Sequence, residues 1–234
     1  MTSDQRFGGT IGEKYDLFPL AYPHYHEFQR TIADNIPYRP LDKFVALELG
    51  PGPGQTTTQV ASRFQNARII AVDNEPVMVK QAERNLESFG PRIKVIASDA
   101  LEYLDRTEPE SIDVLFSGYT LHNFDKKYRS KVLAGIHSAL KVGGTFVNGD
   151  KYASTDLQER INAFNWSIRR YLDVYPKEGQ ADVCYDWIIH MGQDEHPDKI
   201  MVESEAIQEM KAIGFTNIKI AYRKKMEATL VATK

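Results

Sequence analysis

The sequence predicts one α/β domain: a seven-stranded, mostly parallel sheet with helices on both faces and an antiparallel hairpin at its C-terminal end. Three observations predict it. Short β-branched runs alternate with amphipathic stretches between Phe44 and Asn148, the pattern of right-handed βαβ units. A glycine- and proline-rich turn, Gly50 to Gly54, joins the first such run to the first helix. The last two β runs, Thr216–Tyr222 and Met226–Ala232, are separated only by Arg223, Lys224 and Lys225. That gap is too short for a helical crossover, so the two must pair antiparallel.

The elements follow in order. Phe44–Leu49 reads as a buried strand and Gln55–Phe64 as a helix. Arg68–Val72 is a second strand. A helix over Glu75–Phe89 places Met78, Ala82, Leu86 and Phe89 on one face and stops at Gly90 and Pro91. Ile93–Ile96 and Ile112–Phe116 are strands three and four. The helix Asp125–Leu140 carries Tyr128, Val132, Ile136 and Leu140 on one face; Gly143 and Gly144 follow, then a fifth strand at Thr145–Asn148. A helix over Leu157–Tyr175, a polar acidic piece (Gly192–Asp198) and a helix over Ser204–Ile213 precede the hairpin. Residues 1–40 then form an N-terminal lid, 41–150 a ligand-binding core, 151–201 a helical cap, and 202–234 the final helix and hairpin.

Composition narrows the function. Of 234 residues, 42% are hydrophobic and 26% charged, which excludes disorder along the whole chain. The net charge of −3 lacks the basic excess of proteins that live on nucleic-acid backbones. A lone cysteine, Cys184, excludes an internal disulfide framework, and no apolar run has the length of a membrane span. A cytoplasmic protein is expected.

Four segments carry the chemistry. Glycines 50, 52 and 54 let a backbone approach a ligand, and the helix behind them offers free N–H groups. The spacing is neither the dinucleotide Gly-x-Gly-x-x-Gly nor a Walker loop. Asp73 ends the second strand about 20 residues later, where an acid accepts bonds from both hydroxyls of a ribose. Asn74 is expected to cap the next helix, leaving Asp73 free for that task. Asp99 and Ala100, after the third strand, could read an adenine amine and ring nitrogen. The fourth strand leads into Ser117, Tyr119 and His122, across the switch point from the glycines. His122 faces the ligand there or packs as a buried supporting residue.

This series, with Glu48 before the glycines and Leu140–Thr145 before the fifth strand, resembles the class I S-adenosylmethionine-dependent methyltransferases from Lys43 to Asp150. The resemblance implies their Rossmann-like fold, S-adenosyl-L-methionine as cofactor and S-adenosyl-L-homocysteine as product. It implies that Gly50 and Gly52 back the methionine part, with Glu48 ordering water or the amino group beside it. Asp73 would hold the ribose, Met78 pack on the adenine, Asp99 and Ala100 read the base, and Ser117 contact the sulfonium side. Tyr15–Tyr25 is similar both to the lid of small-molecule methyltransferases and to the entry segment of carboxy-S-adenosylmethionine synthase, a tRNA-modification enzyme. The stretch from Leu157 to Ile200 lacks that synthase's arginine- and lysine-rich helical segment.

The expected reaction is methyl transfer to a small-molecule O, N or C acceptor. General-base candidates are His122, Tyr15, Tyr22 and His24. The aromatic cluster Phe7, Tyr15, Phe18, Tyr22, Tyr25 and Phe28 is either an acceptor pocket closing over the sulfonium or ordinary core. The loop at Ser117–Thr120 is not the Asn/Asp-Pro-Pro-Tyr of nucleic-acid amine methyltransferases, which argues against a nucleic-acid partner. No metal is expected: neither His24-x-His26 nor His190 with Asp194, Glu195 and His196 has structural zinc spacing. A carboxy-S-adenosylmethionine-type enzyme, a non-catalytic cofactor-binding protein and a dehydrogenase are the rival readings, and a homodimer stays open.

Overall fold

In the computed structural model, which describes residue 7 and residues 9–234, seven strands form one sheet in the order β3-β2-β1-β4-β5-β7-β6. They are β1 (Val45–Leu49), β2 (Arg68–Asp73), β3 (Ile93–Ala97), β4 (Ile112–Gly118), β5 (Leu140–Lys151), β6 (Thr216–Lys224) and β7 (Glu227–Thr233). The first five run parallel, and β7 pairs antiparallel with both β5 and β6. The strand order reverses between β1 and β4, so a crevice opens above their carboxyl ends.

Ten α-helices accompany the sheet among the described residues: α1 (Thr10–Glu13), α2 (Phe18–Ala21), α3 (Tyr25–Asp34), α4 (Gln55–Arg63), α5 (Pro76–Leu86), α6 (Ala100–Arg106), α7 (Lys126–Ala139), α8 (Leu157–Val174), α9 (Ala181–Asp194) and α10 (Glu203–Ile213). Side chains alternate along each strand. Leu47, Leu49, Leu115, Phe146 and Leu230 therefore pack with Val132, Ile136 and Met210 of α7 and α10. Ala46, Ile69, Val114, Phe116 and Val147 pack with Ile32 and Val60 of α3 and α4. A third apolar cluster lies outside the sheet, where Phe18, Tyr22 and Tyr25 meet Tyr171 of α8, Tyr175 just after it and Trp187 of α9.

The structure departs from the sequence reading at four places. Helix α5 ends at Leu86, and a 3-10 stretch from Glu87 to Arg92 carries Phe89 away from the α5 face. Two helices had no forecast. Short α6 is nucleated by Asp99, and α9 runs through Gly192–Asp194, where a polar connection was expected. The buried positions of α9 include Cys184, Trp187, His190 and Asp194, types that blur an apolar stripe. Strand β5 begins at Leu140 rather than Thr145 and continues to Lys151. No helix among the described residues is long and apolar enough to cross a membrane.

Candidate cofactor and acceptor site

A cavity of about 700 Å³ sits above the carboxyl ends of β1, β2 and β4, in the size range of small-molecule sites. Its floor is the turn after β1. Gly50 N–H donates to the Val72 carbonyl at 2.8 Å, tying the turn to β2. Gly50, Gly52 and Gly54 have φ of 66°, 54° and 92°, conformations that suit glycine. Their surroundings differ. A Cβ on Gly50 would lie 2.4 Å from the Thr120 side chain, and one on Gly54 would lie 3.0 Å from Leu86. A Cβ on Gly52 would meet no protein atom within 4 Å, and Gly52 lines the cavity. Gly50 and Gly54 are glycines for packing, while Gly52 leaves room for a ligand.

Asp73 stands at the end of β2 on the cavity wall. Its Oδ2 accepts from Gly52 N–H at 3.1 Å and its Oδ1 from Glu75 N–H at 2.9 Å. Burial nevertheless pushes its carboxyl up to about 6, with those two N–H groups working against the shift. A carboxylate in this condition gains from further donors, such as the two hydroxyls of a ribose. The expected capping by Asn74 is corrected: Glu75 is the N-cap of α5, its carboxylate accepting from Val77 N–H, and Asn74 lines the cavity. Met78, from the first turn of α5, lies buried in the same wall.

Asp99 and Ala100 also line the cavity. Asp99 caps α6, its Oδ1 accepting from Leu101 and Glu102 N–H at 2.9 and 3.1 Å and from the Tyr128 hydroxyl at 2.7 Å. The cap fixes the carboxyl group's direction beside Ala100. Glu48 is fully buried and is not part of the cavity wall. Thr57 donates to its Oε2, and its Oε1 has no hydrogen-bond partner among the described residues. Burial raises its carboxyl to about 8, so it is largely neutral at pH 7.

The ionisable wall of the cavity comprises four acids, Asp73, Glu75, Asp99 and Asp125, and one base, Lys199. Such a wall favours a cation. The wall is also aromatic: Phe7, Tyr15, Tyr25 and Tyr119, with Gln29, and Phe124 and Tyr128 beside Asp99 and Asp125. Tyr119 has φ of 55°, costly for a non-glycine residue, and its N–H donates to the Gly149 carbonyl at 2.8 Å. Its ring stacks on Tyr25 at 6.0 Å between centroids and 4° between planes. Burial holds the Tyr15, Tyr25 and Tyr119 phenols above their ordinary range. They are proton-bearing hydrogen-bond donors at neutral pH, so Tyr15 is corrected from base to donor.

Three other candidates lie elsewhere. His122 is buried below the turn after β4, its Nδ1 2.5 Å from Asp150 Oδ1, and it is not on the cavity wall. Tyr22 points toward α8, its hydroxyl 3.1 Å from that of Tyr171. His24 is half-exposed beside Glu27 at 3.3 Å. Ser117 is a further correction. Residues alternate along β4, so Gly118 reaches the cavity while buried Ser117 donates to Asn148 Oδ1 at 2.6 Å.

The cap also differs from expectation. Of residues 157–200, Lys199 alone lines the cavity among the described residues. Helices α8 and α9 cover the N-terminal segment instead: Trp187 packs on Phe18 at 4.7 Å, and Arg170 donates to the Ala21 carbonyl at 3.3 Å. Trp166, Tyr171 and His190 are likewise off the cavity wall, and Tyr185 is exposed. Sequence reasoning missed Gln29, Thr120, Asn123, Tyr128 and Lys199. Thr120 and Asn123 were within reach, because they share a turn with Tyr119; Gln29 and Lys199 arrive from distant elements.

The comparisons with known proteins agree with this geometry. Residues 46–144 match the family described as methyltransferase domain. The chain is 24% identical over 230 residues to the carboxy-S-adenosyl-L-methionine synthase of Nautilia profundicola, covering 94% of this chain and 89% of that protein. The synthase of Sulfurimonas denitrificans is 25% identical over 224 residues, with 94% and 89% covered. A solved structure described as an S-adenosyl-L-methionine-dependent methyltransferase from Methanococcus maripaludis superposes with a TM-score of 0.67 at 16% identity. That superposition covers 100% of this chain and 96% of the other. Residues 46–144 thus match a methyltransferase domain, and the whole chain shares the fold of a structure described as an S-adenosyl-L-methionine-dependent methyltransferase.

Proposed function

We propose that this chain transfers the methyl group of S-adenosyl-L-methionine to a small-molecule acceptor entering the cavity. The observation that carries the reading is a wall that combines four acids, Asp73, Glu75, Asp99 and Asp125, with the tyrosines Tyr15, Tyr25 and Tyr119. When bound, the cofactor supplies an electrophilic methyl carbon on a cationic sulfur. Asp73 accepts from the ribose, Asp99 and Ala100 face the base, and Met78 packs against it. The Gly50–Gly52 turn backs the methionine part, above the unpaired oxygen of Glu48. Tyr15, Tyr25 and Tyr119 present π faces that stabilise the sulfonium and exclude water from it. They also orient the acceptor for in-line attack, which is most of what this displacement requires.

No imidazole lines the cavity among the described residues, and the phenols keep their protons. The acceptor therefore brings its own free lone pair, as a neutral amine or a stabilised carbanion does, or gives its proton to a carboxylate of the wall. A second reading is favoured by the relatives that span nearly the whole chain: synthesis of a carboxylated cofactor. A carboxylate beside the sulfonium calls for a nearby cation. The one cation on the described wall, Lys199, sits on a backbone that Arg129 of α7 holds at 2.8 Å, and Tyr128 of the same helix bonds Asp99 at the base end.

The test uses S-adenosyl-L-methionine with a deuterated methyl group, incubated with the protein and a metabolite extract. Methyl transfer yields S-adenosyl-L-homocysteine in step with one labelled small molecule. A nucleoside that gains a carboxyl group and keeps two of the methyl's three deuterons, the third leaving as the new carbon–carbon bond forms, establishes the second reading instead.

A further inference from the structure

We infer that a divalent cation of the zinc class binds between the turn after β4 and helix α9, held by His122, His190 and Asp194. One ligand atom from each of these residues lies within 4.8 Å of the others, and all three residues are buried. His122 Nε2 is 3.7 Å from Asp194 Oδ2, and His190 Nε2 is 3.9 Å from Asp194 Oδ1. Ligands at ~2.0–2.2 Å from a tetrahedral ion stand about 3.4 Å apart, so each histidine–aspartate pair closes by a few tenths of an ångström and the widest pair by at most about 1.4 Å.

A second observation points the same way. Asp150 grips His122 twice, with Oδ1 2.5 Å from Nδ1 and Oδ2 accepting from the backbone N–H at 3.3 Å. This leaves Nε2 directed at Asp194. A carboxylate behind the far nitrogen is the arrangement that orients a metal-binding imidazole and raises its basicity. A small cavity of about 30 Å³, the room of one water, adjoins His122 and Asp194 beside Lys151, although His190 is not on its wall.

Lys151 now supplies the positive charge, its Nζ 3.1 Å from Asp194 Oδ2. A divalent ion replaces it there, and Lys151 keeps a second acidic neighbour in buried Glu227, whose charge it already feels. Two imidazoles and one carboxylate select zinc, cobalt or nickel over magnesium and calcium, which take all-oxygen shells. The ion would pin α9 to the turn that carries Tyr119. None of the three ligands lines the cofactor cavity, so this site and the methyl-transfer reading stand or fall separately.

The experiment titrates the chelator-stripped full chain with cobalt(II), then with zinc. Expected are one cobalt per chain, the intense visible bands of four- or five-coordinate cobalt, and their loss as zinc displaces it. His190→Gln and Asp194→Asn should abolish the bands, and Asp150→Asn should weaken affinity by ~10–100-fold. Exposed His196→Gln should change nothing. Absence of the bands, wild-type affinity in both His190→Gln and Asp194→Asn, or loss of binding in His196→Gln overturns the site. Should the buried variants fail to fold, proton NMR of the wild-type cobalt complex decides: hyperfine-shifted imidazole signals from two histidines are expected, and their absence refutes it.

Discussion

Replacing Asp73 with alanine separates binding from folding. In the proposed complex its carboxylate takes two ribose hydroxyls, hydrogen bonds to a charged group worth ~1.5–3 kcal/mol in total once water's competition is counted. At about 1.4 kcal/mol per tenfold, the affinity for S-adenosyl-L-homocysteine should fall by about 10- to 150-fold. Stability should behave differently. Holding the carboxyl at about 6 rather than 3.8 means that the ionised form is disfavoured in the ligand-free fold. That is at most roughly 3 kcal/mol at neutral pH, and less in practice, because the group faces a wet cavity. Alanine removes this cost and also the bonds to Gly52 and Glu75 N–H, roughly 1 kcal/mol each. The ligand-free variant should therefore stay within about 1–2 kcal/mol of wild type. Isothermal titration calorimetry and urea unfolding at pH 8 measure the two quantities. Unchanged affinity would remove Asp73 from the cofactor site; a loss of affinity matched by an equal loss of stability would make it a structural residue.

The same carboxyl predicts a pH dependence: protonation competes with the ribose, so cofactor affinity should be level above pH 6 and fall as pH drops through about 6, read by calorimetry across pH. Gly52→Val should fold and lose cofactor binding, because its side chain enters the open cradle, whereas Gly50→Ala should damage the loop itself by striking Thr120; circular dichroism and calorimetry distinguish the two. Glu48 ionises near 4.5 when unfolded and about 8 when folded, so wild-type stability should decline as pH rises between those values. Glu48→Gln should flatten that decline in urea melts. Tyr15→Ala should lower the transfer rate at saturating cofactor more than it lowers cofactor affinity, while His24→Ala leaves both unchanged, as kinetics on each variant will show.

Much of this was legible in the sequence where one local pattern decides the outcome. Strand runs, the glycine turn and the hairpin are set by period, backbone freedom and connection length, and each lies where expected except β5, which starts at Leu140 and runs to Lys151. Asp73, Met78, Asp99 and Ala100 reach the cavity because strand ends and helix starts fix their direction. His122 took the second of its two expected roles, a buried supporting residue, and Ser117 missed the cavity for a geometric reason. A strand-to-turn segment aims alternate residues at opposite sides, and one step of phase separates Ser117 from Gly118. The aromatic N-terminal segment divides between two environments: Phe18, Tyr22 and Phe28 are core, while Phe7, Tyr15 and Tyr25 also face the cavity. Cutting away residues 1–28 would strip the apolar contacts of α8 and α9, so point substitutions are the sounder probe of a lid. Contacts made across long sequence separations, such as Gln29 and Lys199 on one wall, have no local signature.

The central claim is that this cavity holds S-adenosyl-L-methionine, whose methyl group passes to an acceptor. The most direct measurement is the mass of the nucleoside released when the purified chain, incubated with S-adenosyl-L-methionine and a metabolite extract, is denatured. Conversion to S-adenosyl-L-homocysteine, lost in Gly52→Val, is the predicted result. Release of a dinucleotide, or of no adenosine-bearing compound at all, would contradict the account.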